Sequence, residues 1–335
     1  MAWEDTLLRK TALAVHKNCL ALIQAYAGIA PLWQRVLLAT YVTVGPPVAY
    51  WFGGNTRTLW QQADSLIGDL FAASAMSPQE IARALQEYVK VKRGEEDHLA
   101  SAKARTRIYD QTFYPLVTHF TLAFQPSAVA RVRFVQRAIA KLPFGPATVA
   151  HLGCGSGAIL CEVLKLRTDW TGVGMDISAA ATAYAKRLSN HKGVADRAQF
   201  LTGSLAELPY ANESLDIIIA SEVIEHLPQP RKVLRELTRV LSPAGMLLIT
   251  MPLESHSPAH LHTLNNAAEL CDLCAAEGLF VRSVESRWHL SFGDDRRHIF
   301  AVVQPVAASE IAARRGYSLT PPEISSAASR GMVSS

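Results

Sequence analysis

Runs of like charge are absent from this sequence. Its 33 Lys and Arg residues are scattered, with no run of five or more, although the formal net charge is +4. Because nucleic-acid-binding surfaces usually show clustered basic residues, the composition predicts no nucleic-acid partner. With 49% hydrophobic and 19% charged residues, the 335-residue chain can bury a packed core, which excludes global disorder.

The sequence also lacks a recognisable cleavable secretory leader and a second CxxC motif. Its five cysteines are an odd number in a long chain, which favours free thiols in a reducing cytoplasm. The single CxxC, formed by Cys271 and Cys274, lies in a helical pattern and is more typical of a buried helix face than of a zinc site. We therefore expect a cytoplasmic protein.

No uninterrupted apolar run reaches the length of a transmembrane helix. The 21 uncharged residues between Arg35 and Arg57 come close, but the Gly-Pro-Pro sequence at 45–47 breaks them in the middle. We expect a buried hairpin, a lid or an oligomer contact in this segment. Reversible contact with a membrane surface through residues 36–60 stays open, because Trp and Tyr side chains favour such interfaces.

The hydrophobic patterns divide the chain into three regions. Residues 1–105 show helical spacing, and the sequence SPQE at 77–80 is typical of a helix start. From about residue 147, short β-type runs alternate with helical ones, as in a parallel sheet covered by helices. We expect an N-terminal helical domain at 1–105 that is a lid or a homo-oligomer interface, an α/β domain at 106–305, and a disordered tail at 306–335.

A glycine-rich loop is the strongest single motif. The sequence VAHLGCGSGAIL runs from a predicted strand through Gly153, Gly155 and Gly157 into a predicted helix. Glycines let the chain turn sharply and let a ligand approach the backbone, and their spacing fits the GxGxxA dinucleotide-binding fingerprint. The next strand ends at Asp176, where a carboxylate can accept hydrogen bonds from both ribose hydroxyls of an adenosine. The pattern indicates an adenosine cofactor without separating S-adenosylmethionine (SAM) from NAD.

The order of the motifs around this loop resembles that of the class I SAM-dependent methyltransferases over about residues 106–305. TGSLAELPY looks like the family's GDAxxLPF loop, and LDIIIASEVIEHL matches its fourth strand and the loop after it. VLRELTRVLSPAGMLLITMP resembles the helix, turn and fifth strand that follow. The resemblance implies a Rossmann-like three-layer α/β sandwich with a seven-stranded, mostly parallel sheet whose last strand is antiparallel.

The resemblance also implies the residues of a SAM-binding site. They are His151, Gly153, Gly155, Gly157, Asp176, Ile177, Ser204, Leu205 and Ser221. Asp176 would bind the ribose, Ile177 would lie beside the adenine, and Ser204 and Leu205 would lie at its edge. Two positions depart from the family. His151 replaces an acid that helps to fix the methionine amino group, and Ser204 replaces an Asp at the adenine, so both departures affect cofactor affinity.

The turn after the fourth predicted strand carries the candidate catalytic residues. Glu222, Glu225 and His226 have i, i+3, i+4 spacing, so one helical turn can point all three the same way. Such a set suits Mg, Mn or Zn, and it is similar to the metal-binding ExxEH set of ubiquinone-pathway O-methyltransferases and small-RNA 2'-O-methyltransferases. A metal-free interpretation stays open, in which the turn is a helix cap. The loop after the fifth strand adds three candidate bases or ligands, His256, His260 and His262.

These observations predict a SAM-dependent methyltransferase that acts on a small molecule, with His226, Glu222 and His256 as catalytic residues. O-methylation is favoured over C- or N-methylation, because a base or a metal suits the removal of a hydroxyl proton. The apolar N-terminal region favours an apolar acceptor from secondary metabolism. Two alternatives stay open, an NAD-dependent oxidoreductase and a SAM-binding protein without catalytic activity.

Overall fold

The structure is a computed structural model, and it shows helices followed by an α/β unit. It describes residues 19, 21–22, 25, 56–94, 109, 111, 113–124, 126–142, 145–255, 260–289 and 296–306. The helices with assigned bounds are α1 (Thr56–Ser74), α2 (Pro78–Gly94), α3 (Phe113–Phe124), α4 (Pro126–Ala140), α5 (Ala158–Leu166), α6 (Ala179–His191), α7 (Pro230–Val240), α8 (Ala267–Ala275) and a 3-10 turn at Ile224–His226.

Seven strands form one sheet. They are β1 (Thr148–Leu152), β2 (Thr171–Asp176), β3 (Ala198–Thr202), β4 (Leu215–Ser221), β5 (Leu241–Pro252), β6 (Leu279–His289) and β7 (Arg296–Pro305). Their order across the sheet is β3-β2-β1-β4-β5-β7-β6, and β7 runs antiparallel to both of its neighbours. The predicted Rossmann-like α/β sandwich is therefore confirmed, including its antiparallel last strand.

The central strands are apolar because helices cover both faces of the sheet. The strand β4 reads LDIIIAS, and only Asp216 within it is not fully buried. One apolar cluster on each face of the sheet includes residues of β1 and β4, as expected for parallel strands with covered faces. The chain order reverses between β1 and β4. This switch point leaves a crevice at the carboxyl ends of the strands, where ligands of such sheets bind.

The predicted start of α2 is confirmed. The helix begins at Pro78, and the Ser77 hydroxyl accepts a hydrogen bond from the Glu80 backbone N–H at 3.3 Å. The Glu80 carboxylate accepts in return from the Ser77 backbone N–H at 2.8 Å. This reciprocal pair is a capping box, which satisfies donors that the first helical turn leaves without partners.

The described N-terminal helices share one hydrophobic core with the sheet. Ile67 and Leu70 of α1 and Ile81 of α2 are fully buried in the cluster that also contains Val149 of β1 and Ile217 of β4. The predicted domain boundary at residue 105 lies outside the described residues, as do the segments 31–55 and 307–335. No helix among the described residues is both long and apolar enough to cross a membrane.

A buried ion cluster joins α1 to the α/β unit. The Lys192 ammonium lies 2.7 Å from an Asp69 oxygen on α1 and 2.8 Å from a Glu162 oxygen on α5, and only 8% of the lysine side chain is exposed. Nearby, Arg187 Nε donates to the Ala73 carbonyl of α1 at 2.7 Å. These contacts fix α1 against α6. Removing one member of such a buried cluster would leave the other charges uncompensated.

We predict that Lys192→Met lowers the free energy of unfolding by about 3 kcal/mol, because Asp69 and Glu162 lose their shared cation. Urea unfolding followed by circular dichroism measures the change. The control is Arg287→Met, which removes an exposed ion pair with Glu285 and should cost less than about 1 kcal/mol. Equal losses in the two variants would contradict the structural role of the buried cluster.

Candidate functional site

The glycine loop takes a left-handed course between β1 and α5. The φ angles are +74° at Gly153, +51° at Gly155 and +76° at Gly157. A Cβ atom on Gly153 would lie 2.6 Å from a Val223 methyl, and one on Gly157 would lie 2.6 Å from the Ala185 Cβ. Glycine is therefore required at these two positions both by conformation and by space, as the sequence predicted.

Asp176 organises the carboxyl end of β2. Its two carboxylate oxygens accept hydrogen bonds from the backbone N–H groups of Gly155 at 2.8 Å and Ser178 at 3.0 Å. Asp176 is only 5% exposed. A carboxylate has about four lone-pair positions, and such an acceptor suits ribose hydroxyls. The acid thus holds the glycine loop and can still take part in ligand binding.

The predicted adenine side is open to solvent. Ile177 follows Asp176 directly and is 47% exposed. The Ser204 hydroxyl is exposed and accepts from the Ala206 backbone N–H at 3.2 Å, so it shapes its own loop. Leu205 is buried in the core. The structure therefore leaves Ile177 and Ser204 accessible to a ligand and gives Leu205 a packing role.

His151 is a buried histidine whose ring nitrogens have no hydrogen-bond partner among the described residues. It lies on β1 two positions before Gly153 and is 2% exposed. Burial lowers the pKa of its imidazole to about 4, so the ring is neutral at physiological pH. A neutral imidazole offers one donor and one acceptor, and both are left unsatisfied here.

Glu222 belongs to a buried network at the ends of β4, β5 and β7. Its carboxylate lies 3.4 Å from the Arg131 guanidinium of α4 and 3.5 Å from Nε2 of His298. Thr250 donates to it at 3.2 Å and also shares a hydrogen bond with Ser221. Burial alone would raise the pKa of Glu222, but Arg131 and His298 lower it to about 2.

This arrangement corrects the predicted geometry of the turn. Glu222 has a left-handed φ of +53°, and the 3-10 helix begins only at Ile224, so one helical turn does not align Glu222 with Glu225 and His226. The carboxylate instead faces Arg131, which sequence reasoning missed because α4 precedes the loop without a motif. His298, which also contacts this carboxylate, is buried.

A second group brings together Glu225, His226 and His260. One ligand atom from each residue lies within 4.8 Å of the others, and this makes the group a candidate metal site among the described residues. Backbone bonds explain the proximity, since the Glu225 carbonyl accepts from Leu261 N–H at 2.7 Å and from His262 N–H at 3.2 Å. His260 therefore stands where Glu222 was expected. His256 lies outside the described residues.

The Glu225 carboxylate is the buried member of this group. It is 1% exposed, and neither oxygen has a hydrogen-bond partner among the described residues. Burial and the charge of Glu222 raise its pKa well above the usual range. Its closest ion-pair partner is His226 Nε2, at 4.0 Å. An uncompensated buried carboxyl of this kind is costly unless a proton, an imidazolium or a metal ion accompanies it.

Aromatic rings lie between Asp176 and the group of Glu225, His226 and His260. Tyr109 and Tyr114 contact each other with ring centroids 4.8 Å apart, and Tyr109 meets His226 edge-on at 6.3 Å. The His226 and His260 rings are 4.8 Å apart. The Ser178 hydroxyl donates to the Tyr109 carbonyl at 2.6 Å, which ties the segment before α3 to the end of β2. These rings border the crevice between Asp176 and His226.

Comparison with known proteins identifies relatives of the α/β unit. Residues 150–249 match the protein family described as "Methyltransferase domain". A sterol 24-C-methyltransferase of Pneumocystis carinii is 32% identical over 99 residues, which cover 30% of this chain and 26% of that protein. A sarcosine/dimethylglycine N-methyltransferase of Aphanothece halophytica is 31% identical over 133 residues, 39% of this chain and 48% of that protein.

The matched segments are short relative to these proteins. The chain spans about half or less of the length of these two curated relatives. Among solved structures, a SAM-dependent methyltransferase from Aquifex aeolicus is 20% identical, with 53% of this chain and 98% of that chain covered and a TM-score of 0.42.

We predict that Gly157→Ala lowers the free energy of unfolding by more than about 2 kcal/mol, because a left-handed alanine is strained and its Cβ collides with Ala185. Gly193→Ala is the matched control. Gly193 has a φ of +67°, but its Cβ would meet nothing within 4 Å, so only the backbone cost of about 1 kcal/mol applies. Guanidinium unfolding compares the two variants. Equal losses of unfolding free energy in the two variants would show that the packing around Gly157 does not require a glycine.

Proposed function

We propose that residues 150–249, which match the methyltransferase-domain family, belong to a class I SAM-dependent methyltransferase domain that transfers a methyl group from SAM to a small molecule, with oxygen as the favoured acceptor atom. The observation that carries the proposal is the set of groups at the carboxyl edge of the sheet. There the glycine loop and Asp176 follow β1 and β2, and the group of Glu225, His226 and His260 follows β4 and β5.

Three features of the described residues fit SAM. The left-handed glycines leave the backbone open to a ligand where side chains would intrude. The Asp176 carboxylate is an acceptor that suits ribose hydroxyls, and the exposed Ile177 offers an apolar surface that suits an adenine. His151 holds an unsatisfied donor and acceptor next to the loop. The predicted cofactor residues Gly153, Gly155, Gly157 and Ser221 also lie at this edge.

SAM supplies an electrophilic methyl group on a sulfonium, so the protein has to align the acceptor in line with it and exclude water. The acceptor oxygen forms a bond to the methyl carbon as the bond from that carbon to sulfur breaks. The hydroxyl proton must leave the acceptor, and in the absence of a bound metal the imidazole of His226 or His260 can take it. Glu222, ionised and bound to Arg131, holds the turn in place and takes no proton.

The rings beside His226 support an apolar acceptor. Tyr109 and Tyr114 present ring surface between Asp176 and the two histidines of the candidate metal site. Such surfaces favour flat or apolar molecules. By its name, one relative acts on a sterol, which is an apolar acceptor. Another is named for sarcosine and dimethylglycine, which are small polar amines. The local rings thus favour the first kind of acceptor for this chain.

We predict that Asp176→Asn weakens binding of SAM and of S-adenosylhomocysteine roughly 10- to 100-fold, because charge-assisted hydrogen bonds to the ribose are lost. Isothermal titration calorimetry measures both affinities. Asp216→Asn is the matched control, since Asp216 also accepts a backbone N–H, from Thr148 at 2.8 Å, but at the amino edge of the sheet. Unchanged affinity in Asp176→Asn, or tighter binding of NADH than of SAM, would overturn the proposal.

We further propose that Glu225, His226 and His260 hold a divalent metal, which would polarise the acceptor hydroxyl. The residues fit because a buried carboxylate without a hydrogen-bond partner in the described chain faces two imidazoles. One carboxylate oxygen and two imidazole nitrogens suit Zn or Mn better than Mg, which prefers oxygen ligands. The metal-free alternative assigns His226 the role of base.

The metal proposal predicts near-stoichiometric Zn or Mn in protein purified without chelator or nickel, and its loss in Glu225→Gln. Inductively coupled plasma mass spectrometry gives the metal content. Glu277→Gln is the control, because Glu277 is a buried carboxylate paired with Arg231 and Arg235 and distant in sequence from the turn. Metal-free wild-type protein would contradict the metal site and leave His226 as the base.

A further inference from the structure

The segment after β5 contains a buried hydrogen bond to one of the candidate metal ligands. The Ser255 hydroxyl is hydrogen-bonded to Nδ1 of His260, and Ser255 is only 6% exposed. We propose that Ser255 is a positioning residue, whose hydroxyl oxygen accepts from the Nδ1–H of His260 and holds the tautomer with the lone pair on Nε2. The inference rests on the proposed function, because it gives Ser255 a role toward the group of Glu225, His226 and His260.

The tautomer of His260 determines what its ring can do. A neutral imidazole carries one proton and one lone pair on its two nitrogens, and only the nitrogen with the lone pair can bind a metal ion or take a proton. Metal-binding histidines usually donate the N–H of the other nitrogen to a fixed acceptor, which sets both the tautomer and the orientation of the ring. The oxygen of Ser255 is such an acceptor at Nδ1, and it assigns ligand binding to Nε2.

Backbone contacts hold Ser255 in place. Leu253 forms a parallel β-bridge with Leu264, and the Glu254 backbone N–H donates to the Leu264 carbonyl at 2.8 Å. Thr263 Oγ1 donates to the Ser255 carbonyl at 3.0 Å. These contacts join the two ends of the segment from 253 to 264, and they fix the backbone that carries the Ser255 hydroxyl.

The opposite side of His260 is fixed independently. The two backbone N–H groups that follow His260 both donate to the Glu225 carbonyl, at 2.7 and 3.2 Å. The ring of His260 lies 4.8 Å from the ring of His226, at an interplanar angle of 79°. Because Nδ1 is bound to Ser255, we assign Nε2 as the nitrogen that serves the group with Glu225 and His226.

Zinc binding tests the role of the hydroxyl. We expect Ser255→Ala to weaken the binding of zinc ion to chelator-treated, full-length protein roughly 10- to 100-fold, because a metal-binding histidine loses the hydrogen bond that orients it. Ser255→Thr keeps a hydroxyl and should stay within about 3-fold of the wild type. Competition with a chromophoric zinc chelator gives the affinities, and circular dichroism shows whether each variant is folded.

Ser189→Ala is the matched control for zinc binding. Ser189 is also buried, at 2% exposed, but its hydroxyl donates to the Lys186 carbonyl within α6 at 2.9 Å. Its replacement removes a buried hydroxyl away from the candidate metal site. We therefore expect the zinc affinity of Ser189→Ala to equal that of the wild type.

Nuclear magnetic resonance measures the tautomer in the wild-type protein itself. With nitrogen-labelled histidine, the His260 signals are those that disappear in His260→Gln, and long-range proton–nitrogen correlations show which ring nitrogen is protonated. We expect the proton on Nδ1 in metal-free protein in alkaline buffer, and a loss of this preference in Ser255→Ala. This measurement needs no bound metal and, for the wild type, no folded Ser255 variant.

The two measurements separate this inference from the proposals on which it rests. A wild-type His260 protonated on Nε2 would overturn the role of Ser255, and so would a Ser255→Ala variant that binds zinc as tightly as the zinc-binding wild type. If the wild type binds no zinc, the metal proposal fails, and the tautomer alone decides whether Ser255 prepares His260 as a base. Failure of the methyltransferase proposal would appear instead as wild-type protein that does not bind SAM.

Discussion

The carboxylate of Asp176 is the contact on which the site depends. It accepts one backbone N–H from the glycine loop and one from the start of α6, so a single side chain sets the relative positions of β1, β2 and their helices. A carboxylate is also an acceptor of the kind that ribose hydroxyls need, and under the proposed function the same group would bind the ligand. Ser178 extends this contact outward, because it caps α6 and also holds the Tyr109 carbonyl. The loop, the acid and the covering segment thus form one connected unit.

The sequence predicted the sheet well because its signals are local and strong. The apolar β4, the glycines at left-handed positions and the capping box at Ser77 each follow from short-range chemistry, and each has its expected conformation in the structure. The alternation of strand-like and helical runs predicted a parallel sheet covered by helices. The resemblance to the class I SAM-dependent methyltransferases then implied the Rossmann-like topology with its antiparallel last strand.

The electrostatics of the site could not be read in the same way. Spacing alone placed Glu222 beside Glu225, but a left-handed residue at 222 redirects the chain, and Arg131 attracts the carboxylate from a helix about 90 residues earlier. His260 joins the group because backbone bonds bring the loop after β5 to the Glu225 carbonyl. These are tertiary contacts. The sequence pattern shows which side chains are available, whereas the tertiary structure determines which of them are in contact.

The shared core has a practical consequence for the limits of the folded unit. The family match covers residues 150–249, yet the apolar face of α6 packs against α1, and Lys192 finds one of its two carboxylates there. A fragment trimmed to the matched residues would lose His119, the hydrogen-bond partner of Tyr184, and Asp69, one of the two carboxylates that pair with Lys192. The smallest piece of this chain that folds is therefore set by where its apolar surfaces are covered, and sequence similarity alone underestimates it.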